Sequence, residues 1–178
     1  MSTLTKDELV ALLSKSVEEF NEQIREEDTG VDLSECDFSH MNLNGADFTG
    51  CDLNDSIFVE TDLVNVSFVD TDLTSTNFTR SNIVECDFSG SLLNGTDFSY
   101  AKVDYCNFTD SDMAGAVFVA SELLNSDFSS SVNLNASRFD EDTIWPDVDM
   151  LPDDFDTSYI SDLSSLHDDD DNVEDDIY

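Results

Sequence analysis

The sequence is poor in basic residues. Of its 178 residues, 6 are Lys or Arg and 42 are Asp or Glu, which gives a formal net charge of -36 at pH 7. A chain this acidic repels the phosphate backbone, so we expect no direct nucleic-acid binding. The charge predicts instead a basic protein partner. General solubility and adaptation to high salt remain alternative explanations of the same composition.

Long apolar runs and recognisable catalytic groups are also lacking. No apolar run approaches the roughly 18 residues of a membrane-spanning helix, and the first residues do not form a secretory signal, so we expect a cytoplasmic protein without a membrane partner. The two histidines, His40 and His167, have neither a nucleophile nor a metal-ligand spacing near them, and no phosphate-binding glycine loop is present. We therefore expect no catalytic residue, cofactor or metal, and a protein that is not an enzyme.

One large apolar residue recurs at every fifth position, in 20 consecutive units from Leu33 to Phe128. A period of five matches neither an amphipathic helix nor a plain strand. The residue two places earlier is small, as at Cys36 and Ala46, and both positions are predicted to face a narrow interior. The residue between them is usually Asp or Asn. Such short side chains accept hydrogen bonds from the nearby backbone and are predicted to support a turn in each unit.

This pattern resembles the pentapeptide-repeat family, whose unit reads small residue, Asp or Asn, Leu or Phe, and two variable residues. The resemblance covers about two thirds of the chain and implies an all-β solenoid, a right-handed quadrilateral β-helix with about 20 residues in each coil. Residues one coil apart then stack on one another. Alternation of Leu and Phe therefore predicts two interior aromatic columns, Phe38, Phe58, Phe78, Phe98 and Phe118 in one and Phe48, Phe68, Phe88, Phe108 and Phe128 in the other.

The four cysteines all lie at the small inward position of a unit, which predicts core thiols rather than metal ligands. Cys86 and Cys106 are 20 residues apart and would stack at roughly 4.8 Å, a distance that permits a disulfide. A reducing cytoplasm favours the free thiols.

The N-terminal residues 1–30 are predicted to form a helical cap on the first coil. Thr5 with Glu8 and Ser16 with Glu19 both match the Ser/Thr-x-x-Glu capping box, which indicates two short helices. Apolar residues on one side of these helices would cover the open end of the solenoid, namely Leu9, Leu13, Val17, Phe20 and Ile24.

The β-helix is predicted to extend over residues 31–145. After Phe128 the five-residue frame shifts by one residue, which predicts a bulge near residues 129–132. Trp145 is predicted to cover the last coil. The next inward residues expected after the shift are Leu134, Phe139 and Ile144.

Residues 146–178 contain 13 acids and no Lys or Arg, and are predicted to be an acidic, disordered tail. Apolar residues recur in it at near-helical spacing, a pattern suited to a segment that folds against a partner or a second protomer. The family resemblance also implies a homodimer through the C-terminal coils. The predicted contact residues are Phe155, Tyr159, Leu163 and Leu166.

Residues 31–145 carry 21 acids and 3 bases. Five to six coils would span roughly 27 Å, over which B-DNA presents about 16 charges. Acids at the variable outward positions are predicted to bind the partner, because we expect almost any polar residue to be tolerated there. These are Glu35, Asp55, Glu60, Asp70, Glu85, Asp104 and Asp110.

Two functions follow from this surface. Resemblance to the fluoroquinolone-resistance members implies a DNA mimic that binds a basic DNA-binding enzyme, such as DNA gyrase or another type II topoisomerase, and modulates or inhibits it. The alternative is a structural or adaptor solenoid that recruits a regulatory protein through the coil faces or the acidic-hydrophobic tail. Loss of binding after charge reversal along one face, together with competition by duplex DNA, would distinguish the mimic from the adaptor.

Overall fold

The computed structural model describes residues 4–25 and 30–160. Helix α1 (Lys6–Lys15) and helix α2 (Val17–Arg25) are separated by Ser16, whose backbone is extended. The predicted capping box at Thr5 and Glu8 is confirmed, whereas Ser16 and Glu19 form only one of the two bonds of such a box. The Thr5 hydroxyl accepts from the Glu8 N–H while the Glu8 carboxylate accepts from the Thr5 N–H, and the Ser16 hydroxyl accepts from the N–H of Glu19. No helix within the described residues is long and apolar enough to cross a membrane.

The chain beyond the helices is a β-helix solenoid in which residues 20 apart form parallel β-bridges. The bridges fall into four ladders that follow one another in chain order. We number them by their first bridging residues: ladder 1 begins at Asp32, ladder 2 at Asp37, ladder 3 at Asn42 and ladder 4 at Asp47. In ladder 3 the bridges extend into strands β1 (Asp62–Val64), β2 (Asn82–Val84) and β3 (Lys102–Asp104), paired in that order.

The interior contains the large apolar residue of every unit from Leu33 to Phe128, each with 0% of its surface exposed. The two predicted aromatic columns are confirmed. Within a column the rings stack with centroids 4.6–5.4 Å apart, and between columns they meet edge to face at 5.7–6.2 Å. Both arrangements are favoured by the ring quadrupole and add about 0.5–1.5 kcal/mol per pair to the hydrophobic stabilisation.

Two backbone features shape the outside of each unit. The predicted turn bond is present: the Asp or Asn at the ladder position accepts from the N–H two residues later, as Asp72 does from Thr74 at 3.0 Å and Asn77 from Thr79 at 2.8 Å. The fifth residue of the unit, which we call the corner residue, adopts a positive φ in almost every unit, from Glu35 at 60° to Asn125 at 53°. Corner residues therefore occupy the left-handed region, which Gly and Asn adopt at least cost.

The last coil departs from the five-residue period. Val132, Arg138 and Ile144 pair with residues of the coil below, and the Phe128 N–H donates to the carbonyl of Met150, so the ladder positions are now six residues apart. The register is unchanged up to Val132, so the predicted one-residue shift is present but lies after the predicted place near residues 129–132. The first extra residue lies in the turn around Leu134–Ala136, after Asn133, whose φ is 61°.

The six-residue period decides which side chains enter the end of the interior. Leu134 is buried and Phe139 packs against the core, as predicted, but Ile144 lies at a ladder position and is 46% exposed. The prediction that Ile144 points inward is therefore wrong, because it extended a five-residue period. Trp145 takes the interior place and its ring lies 6.1 Å from that of Phe118, so the prediction that it covers the last coil is confirmed.

The structure also differs from the predicted disordered tail. Residues 146–160 are packed against the last coil, with short 3-10 turns at Val148–Met150 and Thr157–Tyr159. Leu151 and Phe155 are buried, and the Phe155 ring lies 4.9 Å from the indole of Trp145. Acid-rich composition did not prevent order here, because these two apolar side chains have an aromatic surface to cover. The rest of the predicted tail lies outside the described residues.

Candidate protein-binding surface

Ladders 4 and 1, with the corner residues between them, form what we call the acidic side. The coil residues of this side include no Lys or Arg. The stacked positions within each ladder are one strand spacing apart, about 4.8 Å. Its acids are Asp47, Asp87 and Asp127 in ladder 4, Asp70 and Asp110 at the corner, and Asp32, Asp52, Asp72 and Asp112 in ladder 1.

The ladder carboxylates of the acidic side are held in place by the turn bond. Asp52 accepts from the N–H of Asn54 at 3.1 Å, and Asp87 accepts from that of Ser89 at 2.9 Å, in each case through Oδ1. The second oxygen, Oδ2, remains available on the outside of the coil. Because these aspartates are already held in place, they lose little further side-chain freedom when a partner binds them.

Hydrogen bonding also keeps members of this side ionised. The bond from the Asn133 amide lowers the pKa of the Asp112 carboxyl, and the Lys6 ammonium lowers that of Asp32. The cap helices contribute the basic groups at the N-terminal end, where Lys6 Nζ lies 2.6 Å from Asp32 and Arg25 Nε lies 3.7 Å from Asp47. The acidic side is therefore partly neutralised at its first coil and uncompensated above it.

Ladders 2 and 3 form the opposite, mixed side, which holds every Lys and Arg of residues 31–145: Arg80, Lys102 and Arg138. The Arg80 guanidinium lies 5.4 Å from the centre of the Tyr100 ring, a cation–π geometry. Tyr100 and Tyr105 are 56% and 61% exposed and flank Lys102 in β3. This side therefore offers aromatic surface and both signs of charge.

The seven acids predicted to bind the partner do not form one face. Asp70 and Asp110 share the corner of the acidic side, and Glu35 and Asp55 lie at its border with ladder 2. The other three lie on or beside the mixed side: Glu60 at the corner before ladder 3, Asp104 in β3, and Glu85 at the corner before ladder 4. The Glu60 carboxylate is 3.3 Å from His40 Nδ1.

All of these acids except Asp104 are corner residues with φ between 54° and 60°, a conformation that Glu adopts only with strain. Other corners hold His, Ser, Arg, Tyr and Asn with a similar φ, so the expectation that almost any polar residue is tolerated there stays a prediction. The sequence prediction did not include the ladder acids of the acidic side, because they were attributed to the repeat alone. Aligning the units in blocks of 20 residues would have shown that these acids group on two consecutive ladders.

The predicted tail residues separate in the structure. Phe155 is 6% exposed and packs on Trp145, so it covers the last coil and is not free to bind a partner. Tyr159 lies in the turn Thr157–Tyr159, while Leu163 and Leu166 lie outside the described residues.

The structure gives no sign of metal or thiol chemistry in the part of the chain that it describes. No group of three His, Cys, Asp or Glu side chains suits a metal ion there. All four cysteines are free; Cys51, Cys86 and Cys106 are buried, and burial raises the pKa of the Cys51 thiol to about 12. The prediction of core thiols is thus confirmed for these three, while Cys36 is partly exposed, and Cys86 and Cys106 are not joined.

Comparison with known proteins agrees with this architecture. The family model described as a pentapeptide repeat region matches residues 29–98, and that of pentapeptide repeats in eight copies matches residues 91–129. No curated protein sequence shows significant similarity to the chain.

Three solved structures illustrate the range of likeness. HetL, a pentapeptide repeat protein involved in heterocyst differentiation regulation from Nostoc sp. strain PCC 7120, is 22% identical over 65% of this chain and 52% of its own, with a TM-score of 0.34; this chain thus spans about half of HetL. A variant of QnrB1, a plasmid-mediated fluoroquinolone resistance protein, is 18% identical over 72% of this chain and 73% of its own, at 0.46. A pentapeptide repeat protein of the Arabidopsis thaliana thylakoid lumen is 28% identical over 56% and 66%, at 0.28.

The two family models together span more than half of the chain, and the residues they match lie within the part that forms the 20-residue bridges. The chain belongs to the pentapeptide-repeat family.

Proposed function

We propose that this chain is a protein-binding solenoid whose acidic side occupies the DNA-binding surface of a basic protein and thereby modulates or inhibits it. DNA gyrase or another type II topoisomerase is the target class we propose. The coil is taken to be right-handed and four-sided, in keeping with the four ladders. We also propose a cytoplasmic location, for which the four free cysteines are supporting evidence.

The observation that carries the proposal is the row of carboxylates fixed on one side of the coil. In ladder 1, Asp32, Asp52 and Asp72 stack in consecutive coils, about 4.8 Å apart, and ladder 4 adds Asp47, Asp87 and Asp127 in alternate coils. The phosphates of one B-DNA strand are 3.4 Å apart along the helix axis. The aspartates of ladder 1 therefore offer a basic groove a row of fixed negative charge whose spacing is of the same order as that of one DNA strand, and ladder 4 adds a sparser parallel row.

The turn bond allows this charge to be removed without disturbing the backbone. Asn makes the same bond at the ladder position, as Asn77 and Asn107 show at 2.8 and 3.0 Å. We therefore compare a variant of the acidic side, Asp52→Asn with Asp72→Asn and Asp87→Asn, with a control on the mixed side. The control carries Asp62→Asn, Asp97→Asn and Glu122→Gln, all at ladder positions of the mixed side, so both variants lose the same net charge.

The measurement is binding of each protein to purified DNA gyrase by calorimetry at several salt concentrations, with duplex DNA as competitor. We expect the acidic-side variant to bind at least roughly tenfold more weakly and with a shallower salt dependence, while the control changes by less than about threefold. Equal losses in the two variants, or binding that duplex DNA does not displace, would contradict the proposal. If the bound target is a DNA-binding protein of another class and duplex DNA displaces it, the proposed mechanism holds and only the target class changes.

A second candidate function, an adaptor solenoid, is favoured by the mixed side. Tyr100 and Tyr105 are large, exposed and held at left-handed corners, at φ of 60° and 54°, where Gly or Asn would be less strained. Aromatic residues kept at such a cost are typical of protein interfaces. If a partner is bound there, Tyr100→Asn with Tyr105→Asn should abolish its binding while leaving DNA-competed binding by the acidic side unchanged.

A further inference from the structure

The first coil has an incomplete hydrogen-bonding edge. In the coils above it, the N–H at each ladder position donates to a carbonyl of the coil below, as Asp52 does to Val31 and Ile57 to Cys36, both at 2.9 Å. The first coil has no coil below it. Each of its four ladders must therefore find another partner for these groups or leave them open to solvent.

Side chains of the cap helices replace the missing coil at ladders 4 and 1. The Asn21 amide imitates a peptide group: its Oδ1 accepts from the Asp47 N–H at 2.9 Å, and its Nδ2 donates to the carbonyl of Gly45 at 2.8 Å. At ladder 1 the Lys6 ammonium donates to the carbonyl of Ser34 at 3.1 Å. The ladder 4 edge is therefore closed by the cap, whereas the ladder 1 edge is engaged through its Ser34 carbonyl and the Asp32 N–H makes no hydrogen bond among the described residues.

Ladders 2 and 3 have no such replacement. The N–H groups of Asp37 and Asn42 make no hydrogen bond among the described residues. Burial agrees with this, because Cys36 is partly exposed whereas Ser56 and Thr76, stacked above it, are fully buried. The helix pair therefore leaves this part of the first coil uncovered.

The open edge of ladder 2 faces a cleft of about 600 Å³ between α1 and the first coil. Val10, Ala11 and Cys36 supply an apolar lining, and three acids lie at the same cleft together with Lys6, whose ammonium is paired with Asp32 at 2.6 Å. The side-chain bond from Ser39 lowers the pKa of the Asp37 carboxyl, so it is ionised at neutral pH. The acids are Asp7, Glu35 and Asp37.

We propose that this cleft binds an extended, basic segment of a partner protein, which adds a short strand to the first coil at ladder 2. The free Asp37 N–H supplies the main-chain donor, since an extended peptide offers a carbonyl at every residue. Side chains of a strand alternate, so small apolar residues would contact Val10 and Cys36 while intervening Lys or Arg residues reach the acids. This site is separate from the acidic side and does not depend on the DNA-mimic function.

The probe is a fluorescein-labelled peptide of alternating lysine and valine, five residues long, added to the full-length protein. Fluorescence anisotropy measures its binding, and NMR hydrogen exchange follows the Asp37 amide, with the Ile57 amide of the next coil as the internal control. The site variant is Glu35→Asn with Asp37→Asn. Both changes suit the local backbone, because Asn65 already occupies a left-handed corner and Asn42 already makes the ladder turn bond.

We expect the peptide to slow exchange of the Asp37 amide severalfold, to leave Ile57 unchanged, and to bind the site variant roughly tenfold more weakly. A peptide N-methylated at alternate residues should not bind. Three results would overturn the proposal. The first is that the N-methylated peptide binds as tightly as the unmodified one. The second is that the site variant binds the peptide as tightly as the wild type while the acidic-side variant described above loses binding, and the third is that the Asp37 amide is already protected in the free protein. The last would mean that another part of this chain occupies the edge.

Discussion

At the N-terminal end of the coil, two amphipathic helices lie over a first coil that keeps the regular five-residue unit. At the C-terminal end the coil itself changes, passing to six-residue units and ending in the irregular segment 146–160. Both ends bury aromatic rings, Phe20 on Phe48 at 5.4 Å and Phe155 on Trp145 at 4.9 Å. Both also use an asparagine as a substitute peptide group: Asn21 at the first, and Asn135, bonded to Asp154 and Asp156, at the second.

The difference between the ends lies in what remains for another strand to pair with. An irregular coil cannot serve as a template for a further coil, so the C-terminal end protects itself against edge-to-edge association. The first coil is regular and its protection depends on side chains of a separate helix pair, which reach only ladders 1 and 4. Covering the apolar interior and satisfying the ladder edges are thus separate tasks, and at the N-terminal end the large apolar residues are buried while Cys36 and the edge of ladder 2 are left uncovered.

The largest expected effect compares the two aromatic covers. Phe20→Ala should lower the free energy of unfolding by about 3–5 kcal/mol, because Phe20 is fully buried against the aromatic column. Phe155→Ala should cost less, about 2 kcal/mol, since its segment can detach without opening the regular coil. Urea denaturation followed by near-ultraviolet circular dichroism measures both. Equal losses would mean that the two covers contribute alike to the solenoid.

The next largest effect is expected at the two asparagines that substitute for a peptide group. Asn21→Ala and Asn135→Ala each leave one backbone N–H and one carbonyl without their partner, at a cost of about 1–2 kcal/mol. Hydrogen exchange should accelerate at the Asp47 amide in the first variant and at the Asp156 amide in the second. Unchanged exchange at either amide would show that water replaces that asparagine without loss.

Helix capping should matter more at the N-terminal end. Thr5→Ala removes a capping box from a ten-residue helix and should destabilise the protein by about 1 kcal/mol. Asp156→Ala removes the cap of the three-residue turn Thr157–Tyr159 and should cost at most about 0.5 kcal/mol. Thermal unfolding of the two variants beside Ser14→Ala, an exposed helix position, tests the order. A larger shift for Asp156→Ala would reverse it.

The smallest effect is one of pH. Bonds from Thr5 lower the pKa of Glu8, and the Ala120 N–H lowers that of Asp140 near the C-terminal end. A carboxyl with a depressed pKa contributes stability that is complete above its unfolded pKa and is lost as pH falls through its folded pKa. The stability gap between wild type and Glu8→Gln should therefore narrow below about pH 4.5, and that of Asp140→Asn below about 3.8. A gap that widens on acidification would contradict the bonding.

Much of the fold was predictable because a regular repeat fixes position by counting. The columns from Phe38 and Phe48 follow from residues 20 apart, and the caps at Thr5 and Ser16 follow from local backbone chemistry. The predictions were wrong where the five-residue period ended. The frame shift after Phe128 indicated the first extra residue, but a second one precedes Trp145, and Ile144 was assigned inward because the five-residue period was resumed after Phe139.

The candidate site was predictable in sign but not in arrangement. Total charge gave no information on how Asp52, Asp72 and Asp87 group on the acidic side, or on why Lys102 lies on the other. The strain at corner residues such as Glu85 depends on a backbone conformation that the repeat consensus does not state.

The sequence by itself determined the unit, its turn bond, the apolar interior and the acidity of the surface, because each depends on side-chain chemistry within a few residues of the chain. Only the tertiary structure decided which acids share a side, that Phe155 covers the last coil, and that the Asp37 edge is open while the Asp47 edge is bonded to Asn21. The physical reason is that these features depend on contacts between residues that are distant in the chain, and on how two end segments pack against a coil that has no further neighbour.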